Sequence, residues 1–147
     1  MKQKKRFFEK SLIYFVFLLT LVVFLGVLFG VFIKVKNVEK DNPVLMASDF
    51  SSASLDGRTY NFASEIPTKL TLISFDYFKG ARVDGVSAFD QAFRQRYAYA
   101  VYSDESGKKY LWVRDADFYA ADYQWADPST DYKYFDQFEK SYFFKEQ

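Results

Sequence analysis

The hydrophobic residues of this chain form one long uninterrupted run, followed by shorter runs that alternate with polar residues. The long run, Ser11–Ile33, contains no charged residue. At about 1.5 Å per residue it would make a helix about 35 Å long, enough to cross a hydrocarbon core of about 30 Å. Because lipid offers the backbone no hydrogen-bonding partners, a spanning segment of this kind must be helical. The pattern predicts a single transmembrane helix over residues 11–33.

The charges beside this run predict its orientation. Residues 1–10 carry one acid, Glu9, and five cations: Lys2, Lys4, Lys5, Arg6 and Lys10. By the positive-inside rule this basic stub stays in the cytoplasm, which places residues 44–147 outside a plasma or inner membrane. A cleaved signal peptide has an apolar core of about 7–15 residues. The longer run found here, followed directly by Lys34, favours an uncleaved signal anchor.

The apolar run contains a Gly-x-x-x-Gly motif. Gly26 and Gly30 lie one turn apart and leave a flat stripe on which a second helix can pack closely. Val22, Val23 and Ile33 flank this stripe. We therefore predict that these five residues form a helix–helix interface.

Turn signals and alternation indicate the elements of the remaining chain. Residues 34–43 are predicted to be a charged tether that ends at Asn42-Pro43. In residues 44–147, strand patterns occur over 51–62 (a hairpin around Asp56-Gly57), 69–75, 97–103 and 109–113. A loop is predicted over 78–85, and a short helix over 86–96, in which Val86, Phe89, Ala92, Phe93 and Arg96 follow the i, i+3, i+4 spacing of one helix face. A final helix is predicted from Pro128 to about Lys145. This order predicts one α+β domain, a small mixed or antiparallel sheet with helices on one face.

Composition narrows the function classes. Aromatic residues make up 22% of the chain, which argues for a folded core. The sequence contains no cysteine and no histidine, so it has no thiolate nucleophile, no imidazole base and none of the usual zinc ligands. No catalytic residue, metal site or cofactor is predicted. The net charge is +1 and no basic stripe follows the stub, so nucleic acid is not an expected partner.

The acidic and aromatic residues 115–131 suggest two further hypotheses, a calcium site and a contact surface. The aspartates suggest a calcium loop, but counting from Asp115 the sixth position is Ala120 instead of glycine and the twelfth is Ala126 instead of glutamate. We therefore interpret these carboxylates as solvating charges. Aromatic side chains are also common at contact surfaces. The aromatic residues predicted to make ectodomain contacts are Tyr123, Trp125, Tyr134, Phe143 and Phe144.

One short stretch resembles the opening of membrane-anchored thioredoxin-like proteins. The similarity lies in Leu55-Asp-Gly-Arg58, then Pro67, then the strand 70–75. In that family the strand leads into a Cys-x-x-Cys helix start, and this chain has Asp76-Tyr-Phe-Lys79 there. The resemblance therefore implies a cysteine-less assembly factor without redox activity.

These patterns together predict a non-enzymatic single-pass membrane protein. Its expected role is that of a subunit or accessory factor of a membrane complex, with membrane lipid and other integral membrane proteins as partners. Two alternatives remain open, a membrane-anchored wall- or glycan-binding module and a carboxylate-based enzyme.

Overall fold

The computed structural model describes residues 2–93, 97–115, 128–137 and 140–147. The chain divides into two compact units, one that ends at Lys36 and one that begins at Asn37. The first unit is a helix and the second is a β-rich domain.

The first unit is a single helix, α1 (Lys2–Lys36), which contains the whole of the predicted 11–33 segment. Its residues Glu9–Lys36 are long and apolar enough to cross a membrane, and no other helix among the described residues meets that description. Large apolar side chains are exposed on all sides of the segment; Phe17 and Phe29, for example, are 67% and 64% exposed. A candidate membrane-spanning helix is therefore present, as the hydrophobic pattern predicts.

The second unit is built on a closed seven-stranded barrel. Its strands are β1 (Val44–Met46), β2 (Ser52–Leu55), β3 (Arg58–Phe62), β4 (Thr71–Val83), β5 (Tyr97–Ser103), β6 (Lys109–Asp115) and β7 (Ser141–Glu146). They run in the order β1-β2-β3-β7-β6-β5-β4, and β1 closes the barrel against β4. This last pair is parallel and every other pair is antiparallel. The predicted α+β class and mixed sheet are consistent with this domain, but the expectation of a small open sheet is wrong.

Short helices accompany the barrel: α2 (Val38–Asp41), α3 (Ala88–Phe93), α4 (Pro128–Asp131) and a 3₁₀ helix (Tyr132–Gln137). Pro128–Asp131 are helical, as expected for the predicted final helix, but its continuation to Lys145 is wrong. Residues 141–146 instead form β7, which pairs with both β3 and β6. The reason is tertiary: without β7 the facing edges of β3 and β6 would carry unpaired backbone groups.

Side chains pack on both faces of the barrel wall. The interior is filled by aliphatic and aromatic residues, among them Met46, Tyr60, Leu111 and Phe144. A second cluster lies on the outer face of β5, β6 and β7 and includes Trp112 and Phe143. Residues on both faces of β5 are therefore buried, which explains why six of its seven residues are buried.

The outer cluster is covered by two segments that are not strands. The antiparallel pairs from β3 through β7, β6 and β5 to β4 make β3 and β4 run in the same direction. Residues 63–70, which join the end of β3 to the start of β4, must therefore run back along the barrel wall. Ile66 and Leu70 of this connection pack on the outer cluster. Tyr132 of the 3₁₀ helix packs there too, and its hydroxyl accepts a 2.8 Å hydrogen bond from the Leu70 N–H. The two covering segments are thus fastened to each other.

Local turn chemistry agrees with the sequence prediction at the first hairpin. Asp56 and Gly57 join β2 to β3, and both have positive φ, 51° and 75°. A two-residue type I′ turn requires positive φ at both central positions, which Asp-Gly supplies at low cost. The hairpin 97–103/109–113 is confirmed as well, with β6 extending to Asp115.

The stretch 76–93 differs most from its prediction. Strand β4 continues to Val83, so the loop predicted over 78–85 is wrong for most of its length. Helix α3 begins at Ala88, two residues later than predicted. Of the residues at helical spacing, Ala92 is buried as expected for one face, whereas Phe89 and Phe93 are exposed; Arg96 lies outside the described residues. Gln91 takes the buried position, where its side chain bonds the N–H and the C=O of Val83 at 3.2 and 3.0 Å. A polar side chain is stable at this buried position because it satisfies the hydrogen bonds of backbone groups at the end of β4.

The segment predicted to be a tether is partly packed into the domain. Val38 of α2 is only 4% exposed. Helix α2 ends at Asn42, whose backbone N–H and side-chain amide both donate to the Val38 carbonyl, at 2.9 and 2.8 Å. The helix break at Asn42-Pro43 is therefore confirmed, and residues 37–43 belong to the second unit.

Gly80 of β4 lies where the backbone of β5 and the end of α2 approach it closely. A Cβ at Gly80 would overlap the Tyr97 carbonyl oxygen and the Asn42 side-chain oxygen. We expect Gly80→Ala to lower the free energy of unfolding by about 1–3 kcal/mol, the usual cost of overpacking. Unfolding of the detergent-solubilised full chain, followed by tryptophan fluorescence, to which buried Trp112 contributes, measures it.

Ser74→Ala is the matched control, because Ser74 lies on the same strand and is exposed. It should change stability by less than about 0.5 kcal/mol. A Gly80→Ala variant as stable as this control would contradict the close approach.

Candidate functional site

An open groove of about 440 Å³ lies along the β3–β7 pair and offers side chains that suit recognition. We call it the β3–β7 groove. It is lined by Asn61, Phe62, Ala63, Ser64, Glu65, Lys108, Lys145, Glu146 and Gln147. The groove combines cations, carboxylates, amides and one exposed ring, Phe62, which is 54% exposed.

Strand pairing places the floor of the groove. Asn61 of β3 lies directly opposite Lys145 of β7, so their side chains share one face. The Ala63 N–H donates to the Phe143 carbonyl at 2.8 Å, which extends the pairing by one residue. The chain then leaves the sheet, and Ser64 and Glu65 form one wall of the groove.

The opposite wall comes from the β5–β6 turn, which Asp104 holds in place. Its carboxylate accepts hydrogen bonds from the Ser106 hydroxyl at 2.6 Å and from the Ser106 and Lys108 N–H groups at 2.9 and 3.0 Å. These bonds, led by that from the Ser106 hydroxyl, hold the pKa of Asp104 below its usual range. Gly107 completes the turn with φ of 82°. Lys108 is thereby fixed at the rim of the groove.

Glu146 connects three strands at the end of the groove. Its carboxylate pairs with the Arg58 guanidinium of β3 and accepts a 3.2 Å bond from the Lys109 N–H of β6. The hydrogen bond from Arg58 is the main reason that the pKa of Glu146 is lowered, and the same contact raises the pKa of Arg58. The carboxylate thus remains charged and holds β3, β6 and β7 in register.

The remaining groups suit the binding of a polar, extended ligand. The Gln147 side-chain amide donates to the Asn61 side-chain oxygen at 3.1 Å. The Lys145 amine lies 5.9 Å from the centroid of the Tyr110 ring, within the range of a cation–π contact. Donors, acceptors and an exposed ring can recognise peptide or sugar groups, whereas the sequence offers no histidine or cysteine for catalysis. Within the described ranges no three metal-ligating side chains come together.

The predicted helix–helix interface lies on α1. Gly26, Gly30, Val22, Val23 and Ile33 fall within an arc of about 100° at 3.6 residues per turn. Nothing lies within 4 Å of a Cβ built at Gly26 or Gly30, and Val22 is 60% exposed. The stripe is open in the single chain, and its use as an interface stays a prediction.

Two of the five residues predicted to make ectodomain contacts are buried in the barrel. Phe143 and Phe144 are both fully buried, so their expected exposure is wrong. They lie on a strand instead of a helix, and their side chains enter the outer and inner clusters respectively. Tyr134 lies in the 3₁₀ helix by its backbone. Tyr123 and Trp125 lie outside the described residues, as do most of the aspartates of the acidic stretch.

The groove was not predicted from the sequence. Asn61, Lys145 and Glu146 come together only because β7 pairs with β3, whereas the sequence pattern predicts a helix over 141–146. One signal was present: Tyr142, Phe143 and Phe144 are residues that favour strands.

The structure thus defines a protein with one apolar helix followed by a closed, mostly antiparallel barrel domain. Comparison with family models, with characterised proteins and with solved structures yields no match. The thioredoxin-like resemblance is not supported, because β4 continues as a strand through Asp76–Lys79, where the resemblance implied a helix start.

The Arg58–Glu146 ion pair should make the stability of the barrel depend on pH. Because the pKa of Glu146 is lowered by folding, its contribution to stability is complete above the ordinary glutamate pKa of about 4.3 and is lost as pH falls through the folded pKa. We expect Glu146→Gln to destabilise the protein at pH 7 and to unfold with a weaker dependence on pH below about 4.5.

Thermal unfolding of the full chain in detergent between pH 3 and pH 7 measures this effect. Arg58→Gln is the matched control, since it removes the same ion pair from the other side. The double variant should lose less than the sum of the two single losses. Strictly additive losses would contradict the coupling.

Proposed function

We propose that this protein is a non-enzymatic single-pass membrane protein whose barrel serves as a subunit or accessory factor of a membrane complex. The observation that carries the proposal is α1, whose Glu9–Lys36 segment exposes apolar side chains on every side. Such a surface requires lipid or other helices around it. The basic residues before the segment support a cytoplasmic N-terminus and an extracytoplasmic barrel.

The packing of the barrel supports a binding role over an enzymatic one. Residues that point into its interior, such as Met46, Tyr60 and Phe144, are at most 1% exposed. Side chains therefore occupy the space in which a small barrel would otherwise hold a ligand. The described groove lies on the surface, where a protein segment or a sugar chain has access.

The helix provides one route to partners. The glycine stripe of α1 is open, and a second helix could approach its backbone there. We propose that this stripe contacts other integral membrane proteins of the complex. The β3–β7 groove then serves as the contact site of the domain outside the membrane.

A second candidate function is a wall- or glycan-binding module. The observation that favours it is the exposed Phe62 ring beside the Asn61 and Gln147 amides. Aromatic rings and amides are groups that contact sugars well, because the ring offers apolar area and the amides offer donors and acceptors.

Crosslinking of the full-length protein in its native membrane, followed by mass spectrometry, tests the proposal. A defined set of integral membrane proteins is the expected result. Recovery of wall material in place of such proteins would favour the glycan-binding alternative. A strictly monomeric protein with no crosslinked partner would contradict the complex.

The glycine stripe can be tested in the same assay. We expect Gly26→Leu with Gly30→Leu to reduce the recovery of crosslinked membrane partners several-fold, because the added side chains separate the helix backbones. The matched control is Phe24→Leu with Val31→Leu, on the other side of α1, which should leave recovery unchanged. Equal recovery from both double variants would show that the stripe is not an interface.

The groove is tested separately. We expect Phe62→Ser with Lys108→Ser to weaken crosslinking through the barrel even at temperatures where the variant is fully folded. Thermal unfolding of the variant sets that temperature range, because the Phe62 ring also contacts buried Phe144. Ile73→Ser is the matched control, because Ile73 is 49% exposed but does not line the groove. If Ile73→Ser reduces crosslinking as much as the groove variant, the groove has no specific role.

A further inference from the structure

Helix α3 exposes a pair of aromatic rings. Phe89 and Phe93 are 50% and 41% exposed, and their ring centroids lie 5.0 Å apart. Gln91 and Ala92, on the other side of the helix, are buried. Single exposed apolar residues are common, but two adjacent rings on one short helix form a patch that water solvates poorly.

Helix α3 packs against α2, the element that follows α1 directly in the chain. Only Asn37 separates α1 from α2. At no more than about 3.6 Å per residue, Val38 cannot lie more than about 8 Å from Lys36 along the chain, whatever the position of the barrel.

Helix α2 is fixed within the domain. Val38 is buried, and Glu39 lies 3.5 Å from the Arg82 guanidinium at the end of β4. Strand β4 then leads to α3, whose Gln91 bonds the backbone of Val83. The short helix that follows α1 and the helix that carries the exposed rings are therefore parts of one packed corner of the barrel.

We propose that Phe89 and Phe93 insert into the interfacial layer of the bilayer that α1 spans. This inference rests on the proposed membrane anchoring by α1. Phenylalanine is favourable at the boundary between head groups and acyl chains, where its burial removes apolar area from water. The occupant of the patch is thus lipid, and α3 is a second contact of the protein with the membrane.

The chain contains no cysteine, so single cysteines can be introduced without removing any. We would introduce Phe89→Cys or Phe93→Cys into the full chain, attach a nitroxide label and reconstitute the protein in phosphatidylcholine vesicles. Phe62→Cys and Ile73→Cys are matched controls, because these side chains are similarly exposed at 54% and 49%. Val22→Cys reports on α1 itself.

Collision with oxygen, which concentrates in lipid, is compared with collision with a water-soluble nickel chelate. We expect labels at positions 89 and 93 to favour oxygen several-fold more than labels at positions 62 and 73. Oxygen-to-nickel ratios equal to those of the two controls would overturn the inference. Shielding of positions 89 and 93 from both reagents would also overturn it, because it would indicate a protein contact.

The label at position 22 separates this inference from the proposed function. If it favours oxygen while positions 89 and 93 do not, anchoring holds and only the α3 contact is rejected. If position 22 itself collides freely with the nickel chelate, α1 does not span the bilayer, and both proposals are overturned. A tryptophan emission spectrum equal to that of the unsubstituted protein shows that the barrel of each variant remains folded.

Discussion

The barrel depends on the insertion of β7 between β3 and β6. This strand supplies Phe143 to the outer cluster and Phe144 to the interior, so two adjacent residues join the two cores of the domain. Burial of a phenylalanine side chain contributes about 1.5–3 kcal/mol, and each ring is fully buried. Without β7, the barrel would be open between β3 and β6, and both apolar clusters would be exposed there.

The aromatic residues of β5, β6 and β7 are explained by this double packing. A barrel wall that faces solvent alternates buried and exposed residues, but β5 and β6 are covered on both sides. In β5, Tyr97 and Tyr99 fill the interior, while small Ala98 and Ala100 face the outer cluster. Ala100 lies between Phe75 and Trp112 on the neighbouring strands, so a small residue there leaves room for the larger rings.

The parts of the fold that are local in sequence were predictable, and the parts that depend on distant pairing were not. Asp56-Gly57 specifies its hairpin because the two residues accept the backbone angles of the turn. The apolar run specifies α1 through length and composition alone. By contrast, Arg58 and Glu146 are 88 positions apart, and nothing near Glu146 in the sequence reveals its partner.

The wrong helix prediction for residues 141–146 also conceals the β3–β7 groove. Pro128–Asp131 and Tyr132–Gln137 are helical, as the predicted final helix requires, but Ser141–Glu146 form a strand. Lys140, with φ of 47°, then turns the chain into β7. A helix over 141–146 places Lys145 and Glu146 on a different surface from Asn61, so the groove could not be deduced once β7 was missed.

The groove and the β3–β7 pairing share the same residues. Asn61 faces Lys145 across the β3–β7 pair, and Glu146 connects that pair to β6. A ligand bound there would contact both strands of this pair. Because a ligand that binds only the folded state stabilises it, occupancy of the groove would strengthen the β3–β7 pairing on which both clusters depend. The proposed recognition at this groove and the stability of the domain would therefore be physically linked.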